Sequence, residues 1–210
     1  MTHRLSERMS PKEELCRILV RTGALKYGVF TMPTGHLSPY YIDLRLIPSF
    51  PDMFARIVSM YSAIIEDQLQ PESFDRIAAI PLSSVPYAAC LSYSLHKPLV
   101  LVRKEPGNGR HRQIEGIMKS GDRVLPIDDV ITTGGNLLST VKVLRHEGAI
   151  VENALVLLDR QEGGVAKLRN EKVHVHSVVT MEDVAGILYS TGMLSQEQKD
   201  SIMLQLRRES

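Results

Sequence analysis

Two adjacent carboxylates, Asp128 and Asp129, precede a turn rich in hydroxyl and glycine residues at positions 132–135. Successive backbone N–H groups with little side-chain bulk around them form a concave anion site, and the threonine hydroxyls can donate hydrogen bonds to phosphate oxygens. The carboxylates cannot bind phosphate, but they can accept hydrogen bonds from sugar hydroxyls or hold a metal ion. This order of residues predicts a site for a phosphorylated sugar.

Each part of this segment has an ordinary explanation when it occurs alone. An Asp-Asp pair at the end of a strand is usually a solvated turn or a helix cap, and Gly-Gly is usually just a turn. The joint order of strand, acid pair, Thr-Thr-Gly-Gly and helix is more specific. It is neither a P-loop nor the G-x-G-x-x-G dinucleotide fingerprint.

The residues around the acids predict the elements that position them. Residues 124–127 form a short apolar run with no helical period, which indicates a buried strand. Apolar residues then recur at helical spacing, and Gly148 stands where such a helix would end. These residues are Leu137, Leu138, Val141 and Leu144. The positive end of this helix dipole would add to the attraction for phosphate.

Strand-like and helix-like segments alternate along most of the chain. Strands are expected at residues 77–80, 99–103, 124–127, 154–158 and 173–179, and helices at residues 11–22, 54–65, 85–95, 137–147, 181–189 and 197–206. This alternation, with continuously apolar strands, predicts an α/β fold with a mostly parallel central sheet and helices on both faces. Ligands of such sheets bind beyond the carboxyl ends of the strands, where Asp128 is expected.

Composition limits the classes of protein that remain. With 210 residues, 43% hydrophobic and 23% charged, the chain is expected to form a single domain over residues 1–210. The net charge of +1 gives no sequence-wide attraction to nucleic acid or to an anionic membrane. Cys16 and Cys90 lie in apolar segments and favour a reducing compartment. Because we find neither a signal peptide nor an apolar run of ~20 residues, we expect a cytoplasmic protein.

The segment from Val124 to Asn136 resembles the phosphoribosyl-diphosphate signature of type I phosphoribosyltransferases. This resemblance implies the fold of that family, with a small hood at about residues 10–45 and a flexible catalytic loop at about residues 105–116. It also implies that Asp128 and Asp129 hold the ribose hydroxyls, while a glycine-rich turn holds the 5′-phosphate. That turn consists of Val130, Ile131, Thr132, Thr133, Gly134, Gly135 and Asn136.

Three further stretches resemble the orotate phosphoribosyltransferases in particular. They are residues 30–45, with Ser-Pro-Tyr-Tyr-Ile-Asp-Leu-Arg at 38–45; residues 102–105, Val-Arg-Lys-Glu; and residues 157–164, Leu-Leu-Asp-Arg-Gln-Glu-Gly-Gly. The third is not shared by type I phosphoribosyltransferases generally. The resemblance covers about residues 12–180, which is most of the chain.

The resemblance to the orotate branch implies an acceptor site. Arg160 would bind the ring carboxylate of orotate, with Thr132 touching the base, and a guanidinium can indeed hold a carboxylate through two hydrogen bonds. Because Arg160 follows an apolar run, we expect it at the same sheet edge as Asp128. The alternative for Arg160 is an ordinary surface salt bridge.

The resemblance also implies how the leaving diphosphate is bound. Arg103 and Lys104 would contact the diphosphate, although a basic pair at a strand end can simply be solvated. Mg²⁺ would accompany the diphosphate, since it favours phosphate oxygens and retained waters. In the family the loop closes over the site of the neighbouring subunit, which implies a homodimer. We expect Asp128, Asp129, Lys104 and His111 to be the catalytic residues, His111 as a replacement for charge that the loop lacks.

The chain departs from the family pattern in its loop. After Arg103-Lys104-Glu105 it continues Pro-Gly-Asn-Gly, about one residue shorter than usual and without the family's second loop lysine. Asn108 stands where the family has His or Tyr, while Arg110, His111 and Arg112 could supply replacement positive charge. Two prolines also depart from the family: Pro33 where many members have lysine, and Pro126 inside the predicted signature strand.

The sequence therefore predicts an orotate phosphoribosyltransferase, which would form orotidine 5′-phosphate and diphosphate from orotate and phosphoribosyl diphosphate. The shortened loop leaves a second hypothesis open, namely a catalytically weak regulatory or ligand-sensing paralogue that binds phosphoribosyl diphosphate. A third hypothesis is a transferase for another nucleobase.

Overall fold

A computed structural model describes residues 9–31, 35, 37–104 and 113–209, with the side chain of residue 209 left out. In these residues the strands are β1 (Leu25–Thr31), β2 (Leu37–Ile42), β3 (Arg76–Ala79), β4 (Leu99–Val102), β5 (Ile114–Glu115), β6 (Val124–Ile131), β7 (Asn153–Asp159) and β8 (His174–Thr180). The α-helices are α1 (Pro11–Arg21), α2 (Pro51–Ile64), α3 (Val85–Leu95), α4 (Gly135–His146), α5 (Gly164–Asn170), α6 (Met181–Ser190) and α7 (Gln196–Glu209).

The central sheet has the strand order β5-β4-β3-β6-β7-β8 and is parallel except for β5. Successive residues of its strands feed two separate cores, as the alternation of side chains in a strand requires. In β7, for example, Leu155 joins the core that includes α1, α2 and α6, while Val156 joins the core that includes α4 and α5. The predicted α/β fold with helices on both faces is confirmed.

A two-stranded hairpin lies outside this sheet, within the residues expected to form the hood. β1 and β2 form an antiparallel hairpin that packs against α1 and α7. α1 begins with a capping box, in which the Glu13 N–H donates to Ser10 Oγ at 3.2 Å and the Ser10 N–H donates to Glu13 Oε2 at 2.8 Å. Residues 32–34 and 36 of the hairpin connection, including Pro33, lie outside the described residues.

Three local expectations were incomplete. The signature strand extends to Ile131, so that both carboxylates lie inside β6 rather than after it. The helix α5 was not predicted, because it has only seven residues and begins at the second glycine of a Gly-Gly pair. β5 lies within the segment expected as a loop and pairs with the edge of β4. The rest of that segment, residues 105–112, lies outside the described residues.

The position of Pro126 has a simple explanation in the sheet. The N–H of Val124 donates to the carbonyl of Ile150 at 2.9 Å, on the side of β6 that faces β7. Alternate residues of a strand direct their N–H groups to the same side, so the donor that proline lacks would also have faced β7. The pairing of β6 with β7 begins only at Ile127 and Leu155, so the proline falls just before the ladder. It interrupts no pairing with β3.

Within the described part of the chain, no helix combines the length and the apolar character that crossing a membrane requires.

Candidate active site

Asp128 and Asp129 are both almost fully buried, with exposures of 7% and 6%. Asp129 Oδ1 accepts hydrogen bonds from Ser83 Oγ at 2.9 Å and from the Val130 N–H at 3.0 Å. Asp128 Oδ1 accepts from the Asp129 N–H at 3.0 Å, and the Tyr61 hydroxyl donates to the Asp128 carbonyl at 2.7 Å. The acid pair is thus held by its own strand, by α2 and by the loop that follows β3.

Burial gives the two carboxyl groups unusual protonation behaviour. It raises the pKa of Asp128 well above its ordinary value, the negative charge of Asp129 raises it further, and the positive charge of Lys104 opposes the shift. Burial also raises the pKa of Asp129, although the hydrogen bond from Ser83 acts in the opposite direction. Groups that donate hydrogen bonds to these carboxylate oxygens, such as the hydroxyls of a sugar, would favour the ionised forms of both acids.

The glycine-rich turn forms a small open cavity of about 120 Å³ at the carboxyl end of β6. Gly134 has a φ of 71° and precedes α4, whose first turn has no side-chain cap. The N–H groups at the start of α4 are therefore available to an anion, and the helix dipole favours negative charge there. The cavity is lined by Asp128, Val130, Ile131, Thr132, Thr133, Gly134, Gly135, Asn136 and Leu137.

A second glycine-rich segment supports this turn from behind. The Gly164 N–H donates to the Thr132 carbonyl at 3.0 Å. A Cβ on Gly164 would lie 2.7 Å from Ile131 Cγ1 and 2.8 Å from the Gly134 nitrogen, which is closer than real Cβ atoms approach. The Gly-Gly pair that follows Arg160 in the sequence therefore allows α5 to pack directly against the backbone of the turn.

Arg160 lies at the carboxyl end of β7, next to the turn, and is only 5% exposed. Its N–H donates to the Ile131 carbonyl at 3.0 Å, its Nη2 lies 2.6 Å from Glu162 Oε1, and its Nε donates to the Tyr40 hydroxyl at 3.3 Å. A buried arginine of this kind is not a surface salt bridge. The structure places its guanidinium at the sheet edge that carries the two aspartates.

Comparisons with known proteins identify the family. The phosphoribosyl transferase domain family matches residues 49–190, more than half of the chain. Orotate phosphoribosyltransferase of Methanocaldococcus jannaschii is 36% identical over 177 residues, which cover 84% of this chain and 98% of that protein. The chain belongs to the orotate phosphoribosyltransferase family.

The chain is also similar to longer proteins and to a further orotate phosphoribosyltransferase. Uridine 5′-monophosphate synthase of Caenorhabditis elegans is 36% identical over 194 residues, covering 91% of this chain but 39% of that protein. Among solved structures, UMP synthase of Leishmania donovani has a TM-score of 0.84 at 29% identity, over 95% of this chain and 43% of that one. Orotate phosphoribosyltransferase of Aeropyrum pernix has a TM-score of 0.73 at 31% identity, over 85% and 99% of the two chains. The chain thus spans less than half of these two UMP synthases and nearly all of the two orotate phosphoribosyltransferases.

Of the residues predicted to bind the diphosphate, the structure describes Arg103 and Lys104. Arg103 lies at the end of β4, where its Nε is 3.3 Å from Glu115 Oε1 and its N–H donates to the Gln113 carbonyl at 2.8 Å. Gln113 Nε2 also donates to the Lys104 carbonyl at 2.8 Å, and Lys104 itself is exposed. The positive charge of Lys104 opposes the raised pKa of Asp128. Arg103 instead pairs with Glu115 of β5. His111 lies outside the described residues.

Sequence reasoning missed several residues that build the site. Ser83 holds Asp129, Tyr61 holds the backbone of Asp128, and Tyr40 and Glu162 contact Arg160. Ser83 could have been found from its position after β3, since that strand neighbours β6 and ends at the same edge. No local signal marks Tyr61, because its contact spans 67 positions of sequence.

Proposed function

We propose that the protein transfers ribose 5-phosphate from phosphoribosyl diphosphate to N1 of orotate, forming orotidine 5′-phosphate and releasing diphosphate. The observation that carries this proposal is the position of the buried Arg160, whose N–H donates to the Ile131 carbonyl at the end of the strand that carries the acid pair, next to the glycine-rich turn. A guanidinium at that place suits an acceptor base that carries a carboxylate. The similarity to several orotate phosphoribosyltransferases supports the same acceptor.

Each part of the site would bind one part of the substrates. The N–H groups at the start of α4 and the hydroxyls of Thr132 and Thr133 would hold the 5′-phosphate. Asp128 and Asp129 would accept hydrogen bonds from the ribose hydroxyls and favour positive charge that develops at C1. Arg160 would hold the orotate carboxylate, and Thr132 would touch the base. Fixing both reactants at one sheet edge would supply much of the rate acceleration.

The reaction would break the bond from C1 to the diphosphate oxygen and form a bond from C1 to N1 of orotate. The diphosphate leaves with the electron pair of the broken bond, and the N1 proton of orotate passes to the departing diphosphate or to solvent. Lys104, Arg103 and His111 would neutralise the departing negative charge. Exclusion of water would protect the cation-like C1 from hydrolysis.

We propose that Mg²⁺ enters with the diphosphate. When bound, the ion would stabilise the negative charge of the leaving group. Among the described residues no group of three or more His, Cys, Asp or Glu side chains could hold a metal by itself. The carboxylate oxygens of Asp128 and Asp129 offer the hard donors that Mg²⁺ accepts, directly or through water.

We further propose a cytoplasmic homodimer in which the segment of about residues 105–116 closes over the site of the neighbouring subunit. The second candidate function rests on the same segment. Residues 105–112 contain no lysine, which favours a paralogue that binds phosphoribosyl diphosphate with slow catalysis.

A steady-state assay tests these candidates together. Purified protein is supplied with phosphoribosyl diphosphate, Mg²⁺ and one of orotate, uracil, adenine or hypoxanthine. We expect turnover of orotate, lost in the Asp129→Asn variant. Turnover of another base alone would identify a different transferase, and binding of phosphoribosyl diphosphate without turnover at any Mg²⁺ concentration would identify the sensing paralogue.

A further inference from the structure

The side chain of Tyr40 contacts Arg160 in two ways. The Arg160 Nε donates to the Tyr40 hydroxyl at 3.3 Å, and the guanidinium carbon lies 4.9 Å from the centre of the Tyr40 ring. The second distance is within the range of a cation–π interaction, which strengthens when both groups are removed from water. Both groups are buried here, since Tyr40 has no exposed surface and Arg160 is 5% exposed.

Tyr40 is itself fixed by the hood. Ser38 Oγ donates to the Tyr40 carbonyl at 2.8 Å and lies 3.0 Å from the side-chain amide oxygen of Gln205 in α7. Ser38 and Gln205 are also buried. A chain of contacts therefore runs from the last helix through the hairpin to the arginine of the acceptor site.

These contacts leave one side of the guanidinium to a ligand. Arginine has five N–H donors in a planar fork. Tyr40 takes the Nε–H, and Glu162 lies against Nη2. Within the described residues, Nη1 donates to no other group. The positions of Tyr40 and Glu162 therefore determine that the Nη1 edge of the guanidinium is the one available to a ligand.

We propose that Tyr40 is a positioning residue, which orients the guanidinium of Arg160 so that its Nη1 edge meets the carboxylate of the acceptor base. This inference rests on the proposed function, because it takes a carboxylate-bearing base as the acceptor. Tyr40 has no exposed surface, so it acts through Arg160 and does not touch the base. The proposal gives the hood a part in acceptor recognition.

The Tyr40→Phe variant tests this role, since it keeps the ring and removes the hydroxyl. We expect the KM for orotate to rise roughly three- to tenfold, the effect of losing one ordinary hydrogen bond. The KM for phosphoribosyl diphosphate and the kcat should stay within about twofold of the wild type. In an Arg160→Gln background the same substitution should have no further effect on the KM for orotate, because the group it orients is gone.

Tyr27→Phe is the matched control. Tyr27 stands directly opposite Tyr40 in the hairpin, and its buried hydroxyl has no hydrogen-bond partner among the described residues. Removing that hydroxyl should leave all kinetic constants unchanged. If Tyr40→Phe behaves like this control, or if it raises both KM values together, Tyr40 does not position Arg160. Thermal unfolding of each variant shows whether the hairpin remains folded.

A binding measurement separates this proposal from the proposed function. Isothermal titration with orotidine 5′-phosphate, which carries the same ring carboxylate, requires no turnover. Weaker binding of about the same factor in Tyr40→Phe, with no change in Tyr27→Phe, supports the role of Tyr40 even in a protein that does not turn over orotate. Equal binding by the two variants, or no binding by the wild type, overturns it.

Discussion

Gly164, the second glycine of the Gly-Gly pair after Arg160, gives the most demanding test of how α5 supports the glycine-rich turn. In the Gly164→Ala variant the new methyl group would lie 2.7 Å from Ile131 Cγ1 and 2.8 Å from the Gly134 nitrogen, and it would also meet the Thr132 carbonyl. Two of these three neighbours are backbone atoms, so relief of the clash requires the turn or α5 to move. Overpacking of this kind typically costs about 1–3 kcal/mol.

Helix propensity acts in the opposite direction, because alanine is better than glycine in a helix by up to about 1 kcal/mol. We therefore expect a net loss of about 1–2 kcal/mol in the free energy of unfolding of Gly164→Ala. The KM for phosphoribosyl diphosphate should rise as well, since the N–H groups of the turn would shift. Urea-induced unfolding and steady-state kinetics measure the two effects.

Gly186→Ala in the middle of α6 is the matched control. A Cβ there meets no atom within 4 Å, so only helix propensity acts, and the variant should gain about 0.5–1 kcal/mol. The two alanine substitutions are thus expected to change stability in opposite directions. Gly164→Ala with at least wild-type stability and an unchanged KM for phosphoribosyl diphosphate would refute the packing argument.

Three further outcomes follow from the site. Because burial raises the pKa of Asp128, its ionised form destabilises the unliganded fold at pH values above that raised pKa, and this effect disappears below the ordinary pKa of about 4. Asp128→Asn should therefore unfold at a higher urea concentration than the wild type at pH 7.5, and this difference should shrink toward pH 4.5. Its turnover should fall by at least about 100-fold. Equal stability of the two proteins at both pH values would contradict this. Glu162→Gln removes the carboxylate that lies against Nη2 of buried Arg160 and should lower the free energy of unfolding by about 2–4 kcal/mol in urea-induced unfolding; a variant as stable as the wild type would argue against this charge pairing. Gly107→Lys adds a lysine to residues 105–112, which have none, and should raise kcat, whereas His111→Ala should lower kcat by about 10- to 100-fold; unchanged kcat in both variants would contradict the proposed role of this segment in binding the diphosphate.

The sheet and most of its helices could be predicted because their signals are local. Apolar runs and helical periodicity depend on neighbours within a few positions, and the Ser10–Glu13 capping box was readable directly from the sequence. The acids were expected after the strand because aspartate disfavours strands. β6 includes them nonetheless, since its pairing with β7 continues past the acids to Ile131 and Asp159.

The partners of the site residues could not be predicted in the same way. The glycine-rich turn is contiguous, so its shape follows from its own sequence. Tyr40 and Arg160 are separated by 120 positions, and Ser38 and Gln205 by 167. Whether such residues meet depends on how the hairpin and α7 dock on the sheet, and no local pattern encodes that docking.

The acceptor carboxylate is the centre of the account, and the ratio of kcat/KM for orotate to that for uracil measures it most directly. Uracil is the same ring without the carboxylate. We expect the wild-type protein to prefer orotate by at least about a thousandfold, because uracil would leave the Nη1 edge of the buried Arg160 guanidinium without a hydrogen-bond partner. In Arg160→Gln this preference should fall to within about tenfold. A wild-type protein that does not discriminate between the two bases, or an Arg160→Gln variant that keeps the full preference, would contradict the account.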